Sequence, residues 1–153
     1  MQAASERLAG LGIELPAVPT PLAAYVPVRR SGDQIWTSGQ LPLAGGALVA
    51  SGKLGAAVTT DEGRHAARVA ALNAVAAVAH EAGGIDKVRH VLRVVVYVAS
   101  TADFFDQPVV ANGASELLAE VFGPDNGSHV RSAVGVTVLP LDAPVEVELV
   151  VEV

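Results

Sequence analysis

Hydrophobic and polar positions change period several times along the 153-residue chain, and each change marks an element. Residues 5–12 (SERLAGLG) read as a short capped helix stopped by glycine, and Pro16, Pro19 and Pro21 make an extended connector after it. Residues 25–40 read as a hairpin: YVPV, a turn at Ser31–Gly32–Asp33, then QIWTSGQ. A Gly-Gly turn and another short strand occupy 44–50. Thr59 and Thr60 then open a long helix with Asp61 and Glu62 in its first turn, where carboxylates suit the helix dipole. Its apolar set runs at helical spacing to Glu81, Gly83–Gly84 stops it, and its many alanines imply close packing on a sheet.

The β-branched run within 88–99 predicts a strand buried on both faces. A second helix is expected to be capped by Thr101 or Asp103, to break at Pro108, and to end at Gly123–Pro124. A turn-rich loop, PDNGSH, leads to Arg131, and two period-two strands close the chain around a Pro-bounded turn. Strands, helix, strand, helix and two strands make an α+β domain with a mixed sheet and two main helices on one face. The expected division is a preface of helix and connector over 1–20 and a single domain over 21–153.

Composition narrows the function. No apolar run reaches the length of a membrane helix, and no basic segment followed by an apolar one opens the chain, so neither a membrane span nor a signal peptide is expected. The absence of cysteine excludes disulfides, thiolate catalysis and Cys-ligated zinc, and agrees with a cytoplasmic location. A net charge of −6 with two lysines argues against a nucleic-acid partner. Aromatic residues are 4% of the chain, so Ala, Val and Leu must build the core.

Of the histidines, His65, His80 and His90 have no second ligand at metal spacing, so no metal or other cofactor is expected. His129 alone stands near a candidate site, either as a loop histidine or as a group beside Arg131. No G-x-S-x-G elbow, phosphate loop or dinucleotide fingerprint occurs. On the strand after 131, Arg131, Ala133 and Gly135 share one face, which leaves open space before the guanidinium. That layout suits either a surface arginine at a strand end or a planar fork for a carboxylate.

Four blocks occur in an order that resembles the Rid family, the YjgF-type reactive-intermediate deaminases. They are the segment from Pro21 to Tyr25, S-G-Q-L-P at 38–42, the helix block with Asn73, and R-S-x-V-x-V-x-x-L-P-x-x-x-x-V-E-V-E from Arg131. The resemblance implies a chorismate-mutase-like α+β fold, a homotrimer with ligand clefts between subunits, and hydrolysis of 2-imino acids to 2-oxo acids and ammonia. It also implies roles. Arg131 would grip the substrate carboxylate, Glu146 would hold the attacking water, and Tyr25 would line the cleft with Asn112 near it. Ser38 and Gly39 would be wall residues, and a backbone carbonyl near Ala133 would hold the iminium N–H. His129-Val130 before the arginine, Ala133 where many members carry cysteine, a longer loop after Asn112 and the N-terminal helix mark a divergent subgroup. A trimer that binds small carboxylates without turnover is the alternative, with ribonuclease activity behind it.

If the last two strands pair as a hairpin, Thr137 faces Glu146 and Arg131 lies about 20 Å away at strand rise. Either those strands are not partners or the site combines neighbouring chains, and the second is expected.

Overall fold

The structure is a computed structural model that describes residues 1–18, 20 and 23–153; Pro19 and Pro21 of the connector, and with Pro21 the start of the first motif block, lie outside the described residues. Helix α1 (Ala4–Leu11) opens the chain, with Gly12 at its left-handed C-cap. Strands β1 (Val28–Ser31) and β2 (Gln34–Thr37) form the expected hairpin about Gly32–Asp33, but pairing begins at Val28 rather than Tyr25. A small ribbon of β3 (Leu43–Ala44) and β4 (Ala47–Leu48) turns at Gly45–Gly46.

Helix α2 (Thr60–Ala82) starts where Thr59 and Glu62 cap each other's backbone, and ends at left-handed Gly83. A 3-10 turn at Ile85–Lys87 precedes β5 (His90–Ala99). Helix α3 (Gln107–Asn126) begins later than expected, because Thr101 Oγ1 and Asp103 Oδ1 bond each other at 2.7 Å and Asp106 becomes the N-cap residue. Pro108 therefore sits in the first turn, where its missing N–H costs nothing, and does not break the helix. The kink comes at Gly123 (φ 86°), and Pro124 continues into a last turn. Strands β6 (Val130–Val136) and β7 (Val145–Glu152) follow, separated by a 3-10 turn at Pro140–Asp142.

The main sheet has the order β1-β2-β7-β5-β6. Consecutive β6 and β7 are not partners, so the hairpin supposed for them does not form. Strand β5 lies between the two, parallel to β6 and antiparallel to β7. Ile35, Val94, Val96, Val98, Val145 and Val151 point to one face and are fully buried under α2 and α3. The other face carries Trp36, Arg93, Val95, Tyr97, Glu146, Glu148, Ser132 and Val134. Strand β5 is thus buried fully on the helix side only, since Arg93 is exposed and Tyr97 half-buried on the other.

Small side chains bring the two helices together. A Cβ on Gly113 of α3 would stand 2.0 Å from the Arg64 carbonyl oxygen of α2, a clash with backbone that has nowhere to go. Ala66, Ala67, Ala70 and Ala74 on α2 and Ala111 and Ala114 on α3 are buried in the same layer. Outside it, Arg64–Glu116 (2.8 Å) and Arg68–Glu120 (2.7 Å) pair across the helices at the surface, where such pairs contribute about 0–1 kcal/mol each. Helix α1 docks through buried Leu8, while Ser5 bonds Asp86 with both its N–H (2.8 Å) and its hydroxyl (2.6 Å). Those two bonds hold the Asp86 carboxyl below its usual range.

Candidate functional site

The candidate residues sort into two groups. The first lies where the chain leaves β2 and runs alongside β7. Gln40 exchanges backbone bonds with Val147 (2.7 and 2.9 Å), which lays Ser38, Gly39 and Gln40 beside Glu146. Asn73, 2% exposed on α2, donates through Nδ2 to the carbonyls of Leu41 and Leu43 at 3.0 Å each and pins the segment from behind. The Ser38 hydroxyl donates to the Val26 carbonyl at 2.5 Å, and Tyr25 stands exposed next to that carbonyl.

Glu146 lies directly over Gly39. A Cβ there would stand 1.8 Å from its Oε1 and 2.6 Å from its Cδ, so the close approach requires glycine. No described residue donates a hydrogen bond to this carboxylate. Burial first, and then the Glu148 carboxylate, raise its pKa. Tyr97, opposite Glu146 on β5, donates its hydroxyl to Glu148 Oε1 at 2.9 Å. Burial of the phenol, followed by that bond, raises its pKa as well.

The second group lies between β6 and α3, on the helix side of the sheet. Arg131 Nη1 donates to Asn112 Oδ1 (2.8 Å) and Ser115 Oγ (3.2 Å), and Nη2 donates to the Pro108 carbonyl (3.3 Å). All three acceptors come from one face of α3 at helical spacing. A guanidinium has five N–H donors. Nε–H and one Nη2–H of Arg131 therefore remain without a partner among the described residues. Ala133 follows on the same face of β6, and beyond it an open cavity is lined by Gly135 and by Gln107, whose Nε2 lies 2.8 Å from where a Gly135 Cβ would stand. His129 engages both ring nitrogens away from that opening, Nε2 with Ser115 Oγ (2.8 Å) and Nδ1 with the Gly127 carbonyl (2.6 Å).

Within one chain the two groups do not meet. Arg131 pairs with Val94 and Glu146 with Tyr97, three positions apart on β5, and β5 separates their strands. Their backbones are about 14 Å apart by strand rise and spacing, with side chains on opposite faces of the sheet. Two contributors escaped the sequence reading. Ser115 was legible as the residue one helical turn after Asn112, on the same face; Tyr97 had no signal inside its valine run, because its row partner depends on pairing across the sheet.

Among the described residues, no cluster of His, Cys, Asp or Glu could hold a metal ion, and no helix is long and apolar enough to cross a membrane. The profile of the family described as "YjgF/chorismate_mutase-like, putative endoribonuclease" matches residues 5–153. The chain is 46% identical to Protein TCP17 of Trypanosoma cruzi over 144 residues, covering 93% of this chain and 89% of that one. It also matches the crystal structure of a "putative endoribonuclease" from Shewanella oneidensis, with a TM-score of 0.95, 35% identity and coverage of 99% and 100% of the two chains. Escherichia coli TdcF, crystallised with bound serine, shares the fold at a TM-score of 0.64 and 23% identity over 89% of this chain and 93% of its own. The five-stranded sheet with α2 and α3 on one face is that fold, and with a profile match that starts within α1 and runs to the last residue, the chain belongs to the YjgF/chorismate-mutase-like family.

Proposed function

We propose that the protein hydrolyses small 2-imino acids to 2-oxo acids and ammonia, at a site completed between copies of the chain. The observation that carries this reading is the state of Arg131. Its guanidinium is tied to α3 on one side and keeps, on the other, a pair of N–H donors with no partner among the described residues. A fixed planar cation with an open edge is a receptor for a carboxylate. The bound serine of TdcF, an amino acid with a carboxylate of that kind, is in keeping with it.

An imino acid is electrophilic at carbon, so the site has little to supply beyond position and a base. With the carboxylate on Arg131, a backbone carbonyl near Ala133 accepts from the iminium N–H. A water attacks the imine carbon and gives its proton to the Glu146 carboxylate. Protonated Glu146 returns that proton to the amine nitrogen of the carbinolamine, the C–N bond breaks as the hydroxyl becomes the carbonyl, and the hydroxyl proton leaves with ammonia as ammonium. A glutamate whose pKa is raised by burial is a better base near neutral pH than an ordinary one.

Since Arg131 and Glu146 face opposite sides of one sheet, the Glu146 of this cleft comes from a neighbouring copy. The sheet favours such assembly. Strand β6 is an edge, and Trp36 (50% exposed), Val130 (68%) and Val134 (42%) expose apolar surface on the face away from the helices. A homotrimer with the clefts at its seams satisfies both requirements. The net charge of −6 weighs against RNA as the substrate.

The test is to generate 2-aminoacrylate with a dehydratase and follow its decay. The protein is expected to accelerate that decay, and Arg131→Ala to remove the acceleration. Decay at the buffer rate across several imino acids, with 2-oxobutyrate still bound, would make this a carboxylate-binding protein and not an enzyme.

A further inference from the structure

Arg131 is held by more than its immediate partners. Ser115, which accepts from Nη1 at 3.2 Å, is itself in contact with His129 Nε2 at 2.8 Å, and His129 Nδ1 lies 2.6 Å from the Gly127 carbonyl. A carbonyl only accepts, so Nδ1 carries a proton, and with that the single ring proton, Nε2 accepts from the Ser115 hydroxyl. The chain of bonds then has one direction: Arg131 to Ser115, Ser115 to His129, His129 to Gly127. Left alone, a serine in mid-helix tends to donate to the carbonyl one turn back. With its proton taken by His129, its oxygen turns lone pairs toward the guanidinium.

The local backbone is built to allow this. A Cβ on Gly127 would stand 2.5 Å from the Leu118 carbonyl oxygen and 2.7 Å from that of Gly123, so only glycine lets the loop lie against α3. That contact puts the Gly127 carbonyl where His129 Nδ1 can donate to it while Nε2 faces Ser115.

We infer that Ser115 and His129 are positioning residues that act through Arg131 and fix which edge of its guanidinium meets the substrate carboxylate. This rests on the reading of Arg131 as the carboxylate receptor. Both Nη1 hydrogens are taken up, by Asn112 and Ser115, which leaves Nε–H and one Nη2–H as the binding edge. If Ser115 lets go, one Nη1 hydrogen is freed and Asn112 alone holds that nitrogen, so the guanidinium is less closely fixed in its plane. The pair also has the order of a nucleophile and its base. However, Arg131 donates into the Ser115 oxygen and occupies a lone pair that an attack would need, which favours positioning.

The experiment is calorimetric titration of 2-oxobutyrate into wild type, Ser115→Ala, Ser115→Thr, His129→Phe, the Ser115→Ala/His129→Phe double variant and Arg131→Ala, with kcat and KM measured alongside. Ser115→Ala and His129→Phe are each expected to weaken binding about fivefold, the size of one lost hydrogen bond, and to raise KM with kcat nearly unchanged. The double variant should be no worse than either single, because the residues act in series. Ser115→Thr, which keeps the hydroxyl, should recover wild-type affinity. The 15N shifts of the His129 ring should report the Nδ1–H tautomer. Affinity within twofold of wild type in Ser115→Ala and His129→Phe, while Arg131→Ala abolishes binding, would overturn this inference alone. Binding that survives Arg131→Ala would overturn it together with the functional reading beneath it. A covalent, Ser115-dependent burst with an activated ester would assign the pair to nucleophilic chemistry instead.

Discussion

Gly39→Ala tests the Glu146 half of the site without touching a charge. The new methyl group would stand 1.8 Å from Glu146 Oε1, 2.6 Å from Cδ and 2.8 Å from Cγ. An ordinary carbon–oxygen contact is about 3.5 Å, so the carboxylate must move by more than 1.5 Å, on the order of half a hydrogen-bond length. The atoms struck are the free end of a flexible side chain that makes no hydrogen bond to the described residues, so the swing costs the fold little. Its effect falls on the water that Glu146 is proposed to hold. A displacement of about 1 Å at a reacting group can cost about 100-fold in rate, so kcat in the coupled imine assay is expected to fall by about 10- to 100-fold. Affinity for 2-oxobutyrate, which depends on Arg131, should stay within about threefold of wild type, the margin of a contact not directly disturbed. In a Glu146→Gln background the same substitution should add nothing further. Full activity in Gly39→Ala would refute the assignment, since the base would then work from somewhere other than its place over Gly39. An equal loss of binding and turnover would refute the separation of the two half-sites.

The same chemical change at Gly113 should behave in the opposite way. There the methyl group meets the Arg64 backbone 2.0 Å away, and pushing α2 from α3 is expected to cost about 1–3 kcal/mol or more in urea denaturation. For Glu146 the sign of the pH effect follows from its raised pKa. The folded state prefers the protonated form, so this contribution to stability is full below the ordinary glutamate value and is lost as pH rises through the folded one. Glu146→Gln should therefore melt higher than wild type at neutral pH, with the gap closing as pH falls through that window; a gap that widened on acidification would contradict it. At Arg131, lysine should restore little of the carboxylate binding lost in alanine, because an ammonium cannot offer two parallel donors while bonding α3; near wild-type affinity by calorimetry in Arg131→Lys would make the fork irrelevant.

Local chemistry was legible in the chain wherever one residue decided the outcome. The helix start at Thr59–Thr60, the Gly83 stop and the turns at Gly32–Asp33 and Gly45–Gly46 all formed where their residues stand. Pro108 was misjudged because a proline reads alike in a first turn and in a break, and the difference lay in Thr101 bonding Asp103 in place of capping. Pairing was the larger loss. Nothing in β6 or β7 announces that β5 will be inserted between them, and a short connection favours a hairpin by proximity. The separation of Arg131 from Glu146 was expected from that hairpin, at about 20 Å, and in the fold it is about 14 Å for a different reason. Its cause, opposite faces of one sheet, needed the register.

Trp36 is the chain's one tryptophan, half-exposed on the sheet face away from the helices and bonded through Nε1 to Gln34 at 3.1 Å. The hydrophobic interior beneath α2 and α3 holds no indole, so the intrinsic fluorescence of this protein is blind to its own core. What the signal follows is the polarity over the outer sheet face. Emission should shift to the blue when another copy covers that face and to the red on dilution, with no change in secondary structure. If the proposed assembly forms on that face, a fluorescence melting curve would record subunits parting, while circular dichroism, which sees α2 and α3, would record the unfolding of the chain. Where the two transitions fall relative to each other is a direct reading of how much of the stability resides between copies and how much within one.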